Sequence, residues 1–177
     1  MHHLRRWLSN PRMSLLFAIL FIASQAAIVT TLQAGNAEAL LIKLQLTFDA
    51  STFNQLLGNA TAAQIQALQQ HYLFDYVHPV WYGMMTLCLL SWLMTLNQLP
   101  ARWNWLFIPA IVFPALDVVE NTLHSPWIYL HSTASDPWVL IAGLAASIKW
   151  SLALVYLVLA IGLAVRYRLH KPQLSAA

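Results

Sequence analysis

The sequence predicts an all-α integral membrane protein, a four-span transmembrane helical bundle with a small helical cap on its outer side. Hydrophobic residues make up 59% of the 177-residue chain and charged residues 8%, and the mean hydropathy is +0.59. Soluble domains are less apolar and about three times as rich in charge. Four apolar segments are each long enough to cross about 30 Å of hydrocarbon as a helix. We therefore predict a single membrane domain over residues 1–177.

The predicted spans cover residues 13–32, 76–96, 103–121 and 138–165. Basic residues collect on one side of these spans: Arg5, Arg6, Arg12, Arg102, Arg166, Arg168 and Lys171. Lys43 is the only Lys or Arg in the opposite loops. Because cytoplasmic loops carry an excess of Lys and Arg, we predict a bacterial inner-membrane protein with both termini in the cytoplasm. The net charge of +3 then reflects topology, and we predict no nucleic-acid partner.

The first span has a second interpretation, that of a cleaved secretory signal. It has a basic start, an apolar core over residues 15–22 and the small-residue pattern Ser24-Gln25-Ala26. Against cleavage, the apolar character continues through Val29, and removal would leave three spans. We therefore favour a retained span.

The segment 34–75 between the first two spans has helical patterns of its own. Ser51 and Thr52 are candidates to cap a short helix that ends near Gly58. A second pattern begins at Thr61 and can run directly into the second span. We predict a small helical cap over the outer ends of the spans; the alternative is an exposed loop that only connects them.

Lys149 lies near the middle of the most apolar span, where Ser147 and Ser151 are the only other polar side chains. A cation at that depth is costly, so it requires a partner and marks a candidate functional site. The same face of the span carries small residues that allow close helix packing: Ala142, Ala145 and Ala146. Lys149 is therefore predicted to face the interior of the bundle.

Two stripes of polar residues supply candidate partners for Lys149. The first precedes and opens the second span at spacings i, i+4 and i+7: His71, Asp75 and His78. The second closes the third span at spacings i, i+3, i+4 and i+7: Asp117, Glu120, Asn121 and His124. Such spacings place side chains on one face of a helix. We predict that both stripes and Lys149 line one outward-facing polar pocket inside the membrane.

The pocket contains three carboxyl groups and one lysine, so its excess negative charge must be compensated by protonation or a cation. Five residues are candidates for catalysis: Asp75, His78, Asp117, Glu120 and Lys149. Three are candidates for ligand binding: His71, Asn121 and His124. Asp117 or Glu120 is the candidate general base, and His78 the candidate acid or proton relay. Lys149 would tune the pKa of the carboxylate or stabilise a developing anion.

We predict that the pocket binds a membrane lipid or a hydrophobic small molecule, either with acid/base chemistry or by binding alone. The alternative is a transport or assembly subunit, as a homo-oligomer or within a larger membrane complex, whose Lys/Asp/Glu cluster is a structural or proton-relay network. Whether the protein is an enzyme stays open. Asp75-x-x-His78 and Glu120-x-x-x-His124 make only a partial version of a four-helix metal motif, so we predict no metal and no cofactor. Walker A, Gly-x-Ser-x-Gly, HExxH and CxxC motifs are absent from the sequence.

The set of Asp75, Asp117-x-x-Glu120-Asn121 and Lys149 on successive spans resembles the pattern of small bacterial four-span membrane proteins. The architecture is also similar to four-span lipid and sterol isomerase or binding domains, which hold acids and histidine in a membrane pocket. Their motif does not map residue by residue onto this chain. The resemblance implies the fold and a hydrophobic ligand, but no reaction.

Overall fold

A computed structural model of the protein describes residues 2–170, and over that range it is helical with no strand. The helices are α1 His2–Leu8, α2 Pro11–Ala34, α3 Glu38–Gln45, α4 Ala50–Gly58, α5 Ala62–Asp75, α6 His78–Leu96, α7 Phe107–Leu130 and α8 Asp136–His170. A 3-10 helix over Ala101–Leu106 leads into α7. Four of these units are long and apolar enough to cross a membrane: α2, α6, α7 with its 3-10 lead, and α8.

The four spans lie where hydropathy placed them, but their bounds differ from the sequence prediction. The third helix was predicted to end at residue 121, and it continues to Leu130. The prediction stopped at polar residues, whereas Asn121 and His124 are fully buried by neighbouring helices and do not end α7. The fourth helix extends from Asp136 to His170 for the same reason, since polar flanks do not break backbone hydrogen bonding.

The segment between α2 and α6 folds into three helices, of which α3 was not predicted. Its helix α4 is capped by Asp49, whose carboxylate accepts the backbone N–H of Thr52 at 2.8 Å. The prediction that Ser51 or Thr52 caps this helix was therefore wrong, because an acidic acceptor two positions before Ser51 takes that role. Thr61 starts α5 as predicted and forms a capping box with Gln64.

α5 does not run into α6 as one continuous helix, because a turn at Tyr76 and Val77 separates them. Pro79 stands at the start of α6, where its missing N–H costs nothing and its ring restricts the residue before it.

We call α3, α4 and the first turns of α5 the cap, and the end of the bundle they cover the cap end. The cap is packed against the spans: Asp136 accepts the backbone N–H of Ala50 at 2.7 Å. Asn54 donates to the backbone carbonyl of Ala134 at 3.1 Å and accepts its N–H at 2.9 Å. The cap and its neighbours share a core of large side chains with 1% exposure or less: Leu44, Phe53, Leu68, Tyr72 and Ile128.

The other end of the bundle, which we call the basic end, joins α1, the turn after α6 and the last turns of α8. The Arg5 guanidinium donates to the Leu99 carbonyl at 2.7 Å. Asn97 donates to the Leu163 carbonyl of α8 at 2.9 Å. The basic residues used to predict orientation, apart from Lys171, which lies outside the described residues, thus flank helices that meet at this end.

Substitution of Gly143 by Ala is expected to loosen the cap. Gly143 lies on α8 against the loop after α3, and an added Cβ would stand 2.5 Å from the Thr47 carbonyl oxygen and 3.0 Å from the Phe48 ring. Overpacking of this kind costs about 1–3 kcal/mol. Gly162→Ala on the same helix is the control, because nothing lies within 4 Å of its added Cβ. Thermal unfolding in detergent should show a lower midpoint for Gly143→Ala only; equal midpoints would contradict the close approach of cap and α8.

Candidate functional site

The polar cluster predicted from the sequence is buried inside the bundle, at the level where α5 ends and α7 and α8 cross. All eight predicted site residues are at most 6% exposed: His71, Asp75, His78, Asp117, Glu120, Asn121, His124 and Lys149. They come from four helices, α5, α6, α7 and α8. His78 additionally reaches α2, where it forms a hydrogen bond with Ser24.

Lys149 holds the centre of the cluster. Its ammonium donates to Asp117 Oδ1 and to Glu120 Oε2, both at 2.6 Å. The i, i+3 spacing of the two acids on α7 places both carboxylates on the face that meets α8. Close approach of the helices depends on buried small residues on α8: Ala142, Ala145 and Ala146. The Coulomb attraction of one cation for two anions offsets part of the cost of burying all three.

Tyr82 completes the hydrogen bonding of Asp117, and the sequence analysis missed it. Its hydroxyl donates to Asp117 Oδ2 at 2.8 Å, and its ring stacks on Phe113 with centroids 5.1 Å apart. Tyr82 follows His78 by four residues on α6, so the helical spacing could have included it in the polar stripe. Both oxygens of Asp117 are therefore occupied by donors.

Removal of the Tyr82 hydroxyl is expected to show how much its hydrogen bond to Asp117 stabilises the fold. Tyr82→Phe should lower the free energy of unfolding by about 1.5–3 kcal/mol, as for hydrogen bonds to charged groups. Tyr156→Phe is the matched control, because that buried hydroxyl donates to the neutral backbone carbonyl of Thr86 at 3.1 Å. Its loss should cost about 0.5–1.5 kcal/mol. Equal losses in chemical denaturation would show that Asp117 carries no charge in the folded protein.

Glu120 differs from Asp117 because only one of its oxygens is bound. Its second oxygen, Oε1, is buried and has no hydrogen-bond partner. The Nδ1 atom of His124 lies 3.9 Å from Oε1, too far for a direct hydrogen bond. Both ring nitrogens of His124 are also buried without a partner. The imidazole is fully buried, and its face is covered by Phe53 of the cap, with centroids 5.1 Å apart.

A second carboxylate and histidine pair lies at the end of α5. His71 Nε2 is 3.4 Å from Asp75 Oδ2, in an orientation that makes no hydrogen bond. Burial alone would raise the pKa of Asp75, but the adjacent His71 and the positive charge of Lys149 hold that pKa below its usual range. Asn121 ties this pair to α7 by donating to the Asp75 carbonyl at 3.1 Å. Asp75 thus adds a negative charge beside the cluster.

His78 begins α6, after a two-residue turn whose backbone stays in the right-handed helical region. It shares a 2.7 Å hydrogen bond with Ser24 of α2, a contact that the sequence analysis did not anticipate. Its ring lies between Phe21 and Tyr82, each with a centroid distance of 5.2 Å. Ser24 was missed as a site residue because it was considered only as part of a cleavage pattern.

The side chains of the cluster are not arranged around one point, as the ligands of a metal ion are. Within residues 2–170, no group of three or more His, Cys, Asp or Glu side chains is placed to hold a metal ion. The His78 ring is instead hydrogen-bonded to Ser24 of α2. Nothing in the geometry of the described residues therefore favours the metal alternative.

A cavity of about 380 Å³ lies at the cap end, between the cap and the last turn of α7. Its walls include Leu57 and Ile65 from the cap segment and Trp127 and Ile128 from α7. None of the eight cluster residues lines it. The polar cluster lies deeper in the bundle, one helical turn below Ile128 on α7.

Comparison with protein-family models, with curated proteins and with solved structures finds no match to this chain.

Proposed function

We propose that this chain is a bacterial inner-membrane protein that binds a lipid or hydrophobic small molecule at the buried Glu120 and His124 pair and exchanges a proton with it. In this proposal the cap end faces outward and both termini are cytoplasmic. The collection of Arg5, Arg102, Arg166 and Arg168 around the basic end supports that orientation. The bundle of four apolar helices supports insertion in a membrane.

One observation carries the binding proposal: Glu120 Oε1 and both nitrogens of His124 are buried without a hydrogen-bond partner. A buried polar atom left unpaired costs about 1–3 kcal/mol, and more when charged. More than about nine in ten buried polar groups in native proteins are satisfied. Other buried side-chain atoms also lack a protein partner, among them Asn121 Oδ1, Tyr72 Oη and both nitrogens of His71. Glu120 and His124 support the proposal because their three unpaired atoms belong to an acid and a base one helical turn apart, which a third molecule can bridge.

The spacing of the two groups fits one oxygen atom between them. An oxygen can lie within about 2.8 Å of both Glu120 Oε1 and His124 Nδ1, because those atoms are 3.9 Å apart. A ligand hydroxyl there could donate to the carboxylate and accept from the imidazole. Lys149 fixes the other oxygen of Glu120 at 2.6 Å, so the carboxylate is oriented before the ligand arrives. Glu120 is then the general base and His124 the general acid.

His124→Phe tests the proposal by removing both nitrogens while keeping a ring against Phe53. Mass spectrometry of organic extracts should find a molecule bound near stoichiometrically to the wild-type protein and reduced at least tenfold in the variant. Thr122→Val is the control, since its exposed hydroxyl only donates back to Val118 within α7. Equal content of the same molecule in all three proteins would refute the site.

A second candidate function has its own support. A continuous string of hydrogen bonds links α6, α7 and α8 through Tyr82, Asp117, Lys149 and Glu120. Such a network could hold the helices of a subunit in a larger complex, or relay protons, without a bound ligand. It predicts that loss of Glu120 affects stability but no bound molecule.

A further inference from the structure

We propose that the cavity under the cap is a binding site for an uncharged amphiphile that reaches the protein from the cap end. This inference deepens the function proposed above and rests on it in one respect, namely where the polar group of the bound molecule finally lies. Binding in the cavity itself depends only on the cavity's own residues. Its volume, about 380 Å³, is within the range of small-molecule sites, about 300–1,000 Å³.

The position of the cavity connects it with the Glu120 and His124 pair. Leu57 follows Phe53 by four residues on α4, and Ile128 follows His124 by four residues on α7. Both pairs are therefore one helical turn apart, about 6 Å along the axis. Phe53 and His124 stack on each other, while Leu57 and Ile128 line the cavity. The Phe53 ring thus lies between the floor of the cavity and the unpaired imidazole.

The residues that line the cavity indicate which class of ligand it binds. No Asp, Glu, Lys or Arg occurs among the described residues around the cavity, and its one titratable lining residue, His131, is exposed to solvent. A charged group would therefore enter without a buried counter-ion. Leu57, Ile65 and Ile128 offer an apolar wall. Trp127 adds a buried indole N–H with no hydrogen-bond partner. Because that group can only donate, the ligand must carry an acceptor oxygen.

The polar amide in the wall is not available to the ligand. Asn54 is already engaged through both its oxygen and its nitrogen with the backbone of Ala134. The other polar residues that line the cavity follow α7: His131, Ser132 and Thr133. An apolar body with a hydroxyl or ester head can hydrogen-bond with this set, whereas a carboxylate or phosphate head would find no buried counter-charge there.

Gly58 provides a way to fill the cavity without disturbing the fold. It lines the cavity at the end of α4, an added Cβ would meet no atom within 4 Å, and its φ is not in the left-handed region. Gly162 on α8 is equally open and lies far from the cap, at the basic end. Gly58→Trp and Gly162→Trp are therefore a matched pair.

The test uses a short-chain monoacylglycerol that carries a photoreactive diazirine, added to the purified full chain in detergent. We expect peptides from α4 and the end of α7 to be labelled, and labelling to fall at least fivefold in Gly58→Trp but not in Gly162→Trp. Unlabelled monoacylglycerol should compete, and a fatty acid of the same chain length should compete at least tenfold less well. Undiminished labelling of Gly58→Trp would overturn the site, and equal competition by the fatty acid would overturn the uncharged ligand.

His124→Phe separates this inference from the proposed function. Because His124 does not line the cavity, the variant should keep its photolabelling while losing the co-purified molecule. Labelling that is blocked by Gly58→Trp, together with a co-purified molecule that His124→Phe leaves unchanged, would support the cavity and contradict the deeper site.

Discussion

Lys149→Met is expected to destabilise the protein by about 3–5 kcal/mol, the effect of removing one partner of a buried ion pair. Lys149 is the only cation within hydrogen-bond distance of the Asp117 and Glu120 carboxylates in the described chain, at 2.6 Å from each. Without it, two buried acids on adjacent turns repel each other in a low-dielectric interior. The free energy of unfolding in detergent, measured by reversible denaturation, checks this.

Neutralising an acid should recover much of that loss. Lys149→Met combined with Asp117→Asn or with Glu120→Gln leaves one carboxyl group instead of two, so both double variants should be more stable than the single variant. Lys43→Met is the control for loss of a lysine, because Lys43 is exposed and its removal should change stability by less than about 0.5 kcal/mol. If Lys149→Met and Lys43→Met changed the free energy of unfolding by the same amount, the assignment of a buried ion pair to Lys149 would be wrong.

The two acids are expected to differ in function although they share one lysine. Glu120→Gln should abolish ligand binding, because it turns half of an acceptor-only carboxylate into a donor amide beside His124. Asp117→Asn should keep the bound molecule, since both Asp117 oxygens already serve Tyr82 and Lys149. Each variant leaves Lys149 with one carboxylate partner, but Asp117→Asn also sets an amide NH2 against a donor, Tyr82 or Lys149, so it should be the less stable of the two.

Quantitative mass spectrometry of the bound molecule, normalised to folded protein, measures this difference. We expect at least a tenfold lower content in Glu120→Gln than in Asp117→Asn. Equal loss in both would assign the cluster to a structural or proton-relay network, the second candidate function. Equal retention in both would place any ligand away from Glu120.

The four membrane-spanning helices could be predicted because hydropathy and length need only local sequence. The partners of Lys149 could be predicted for a related reason: burial of a lone cation is costly, and helical spacing placed Asp117 and Glu120 on one face. The direct contacts, at 2.6 Å to both acids, agree with that expectation. What these residues do chemically stays a prediction.

Other features depended on contacts that no local pattern shows. The hydrogen bond of His78 with Ser24 of α2 joins residues 54 positions apart in the sequence. The stacking of Phe53 on His124 joins a cap helix to α7 between residues that are 71 positions apart in the sequence. Tertiary packing of this kind is set by the whole bundle, and neither residue's neighbours in sequence indicate it.

The unpaired state of Glu120 Oε1 and His124 could not be predicted either. Their i, i+4 spacing suggests a direct hydrogen bond, whereas the structure holds Oε1 and Nδ1 3.9 Å apart. Lys149 draws the other oxygen of Glu120 toward α8, and Phe53 fixes the imidazole from the cap side. The separation of Glu120 Oε1 from His124 Nδ1 thus results from Lys149 on α8 and Phe53 on α4.

The most direct test of the proposed binding site is a density map of the wild-type protein, purified with its native lipids, at a resolution that shows ordered water. We expect elongated non-protein density with one polar end within about 2.6–3.2 Å of both Glu120 Oε1 and His124 Nδ1. A single water in that position, or a rotated Glu120 hydrogen-bonded directly to His124, would contradict the binding site and leave a structural network.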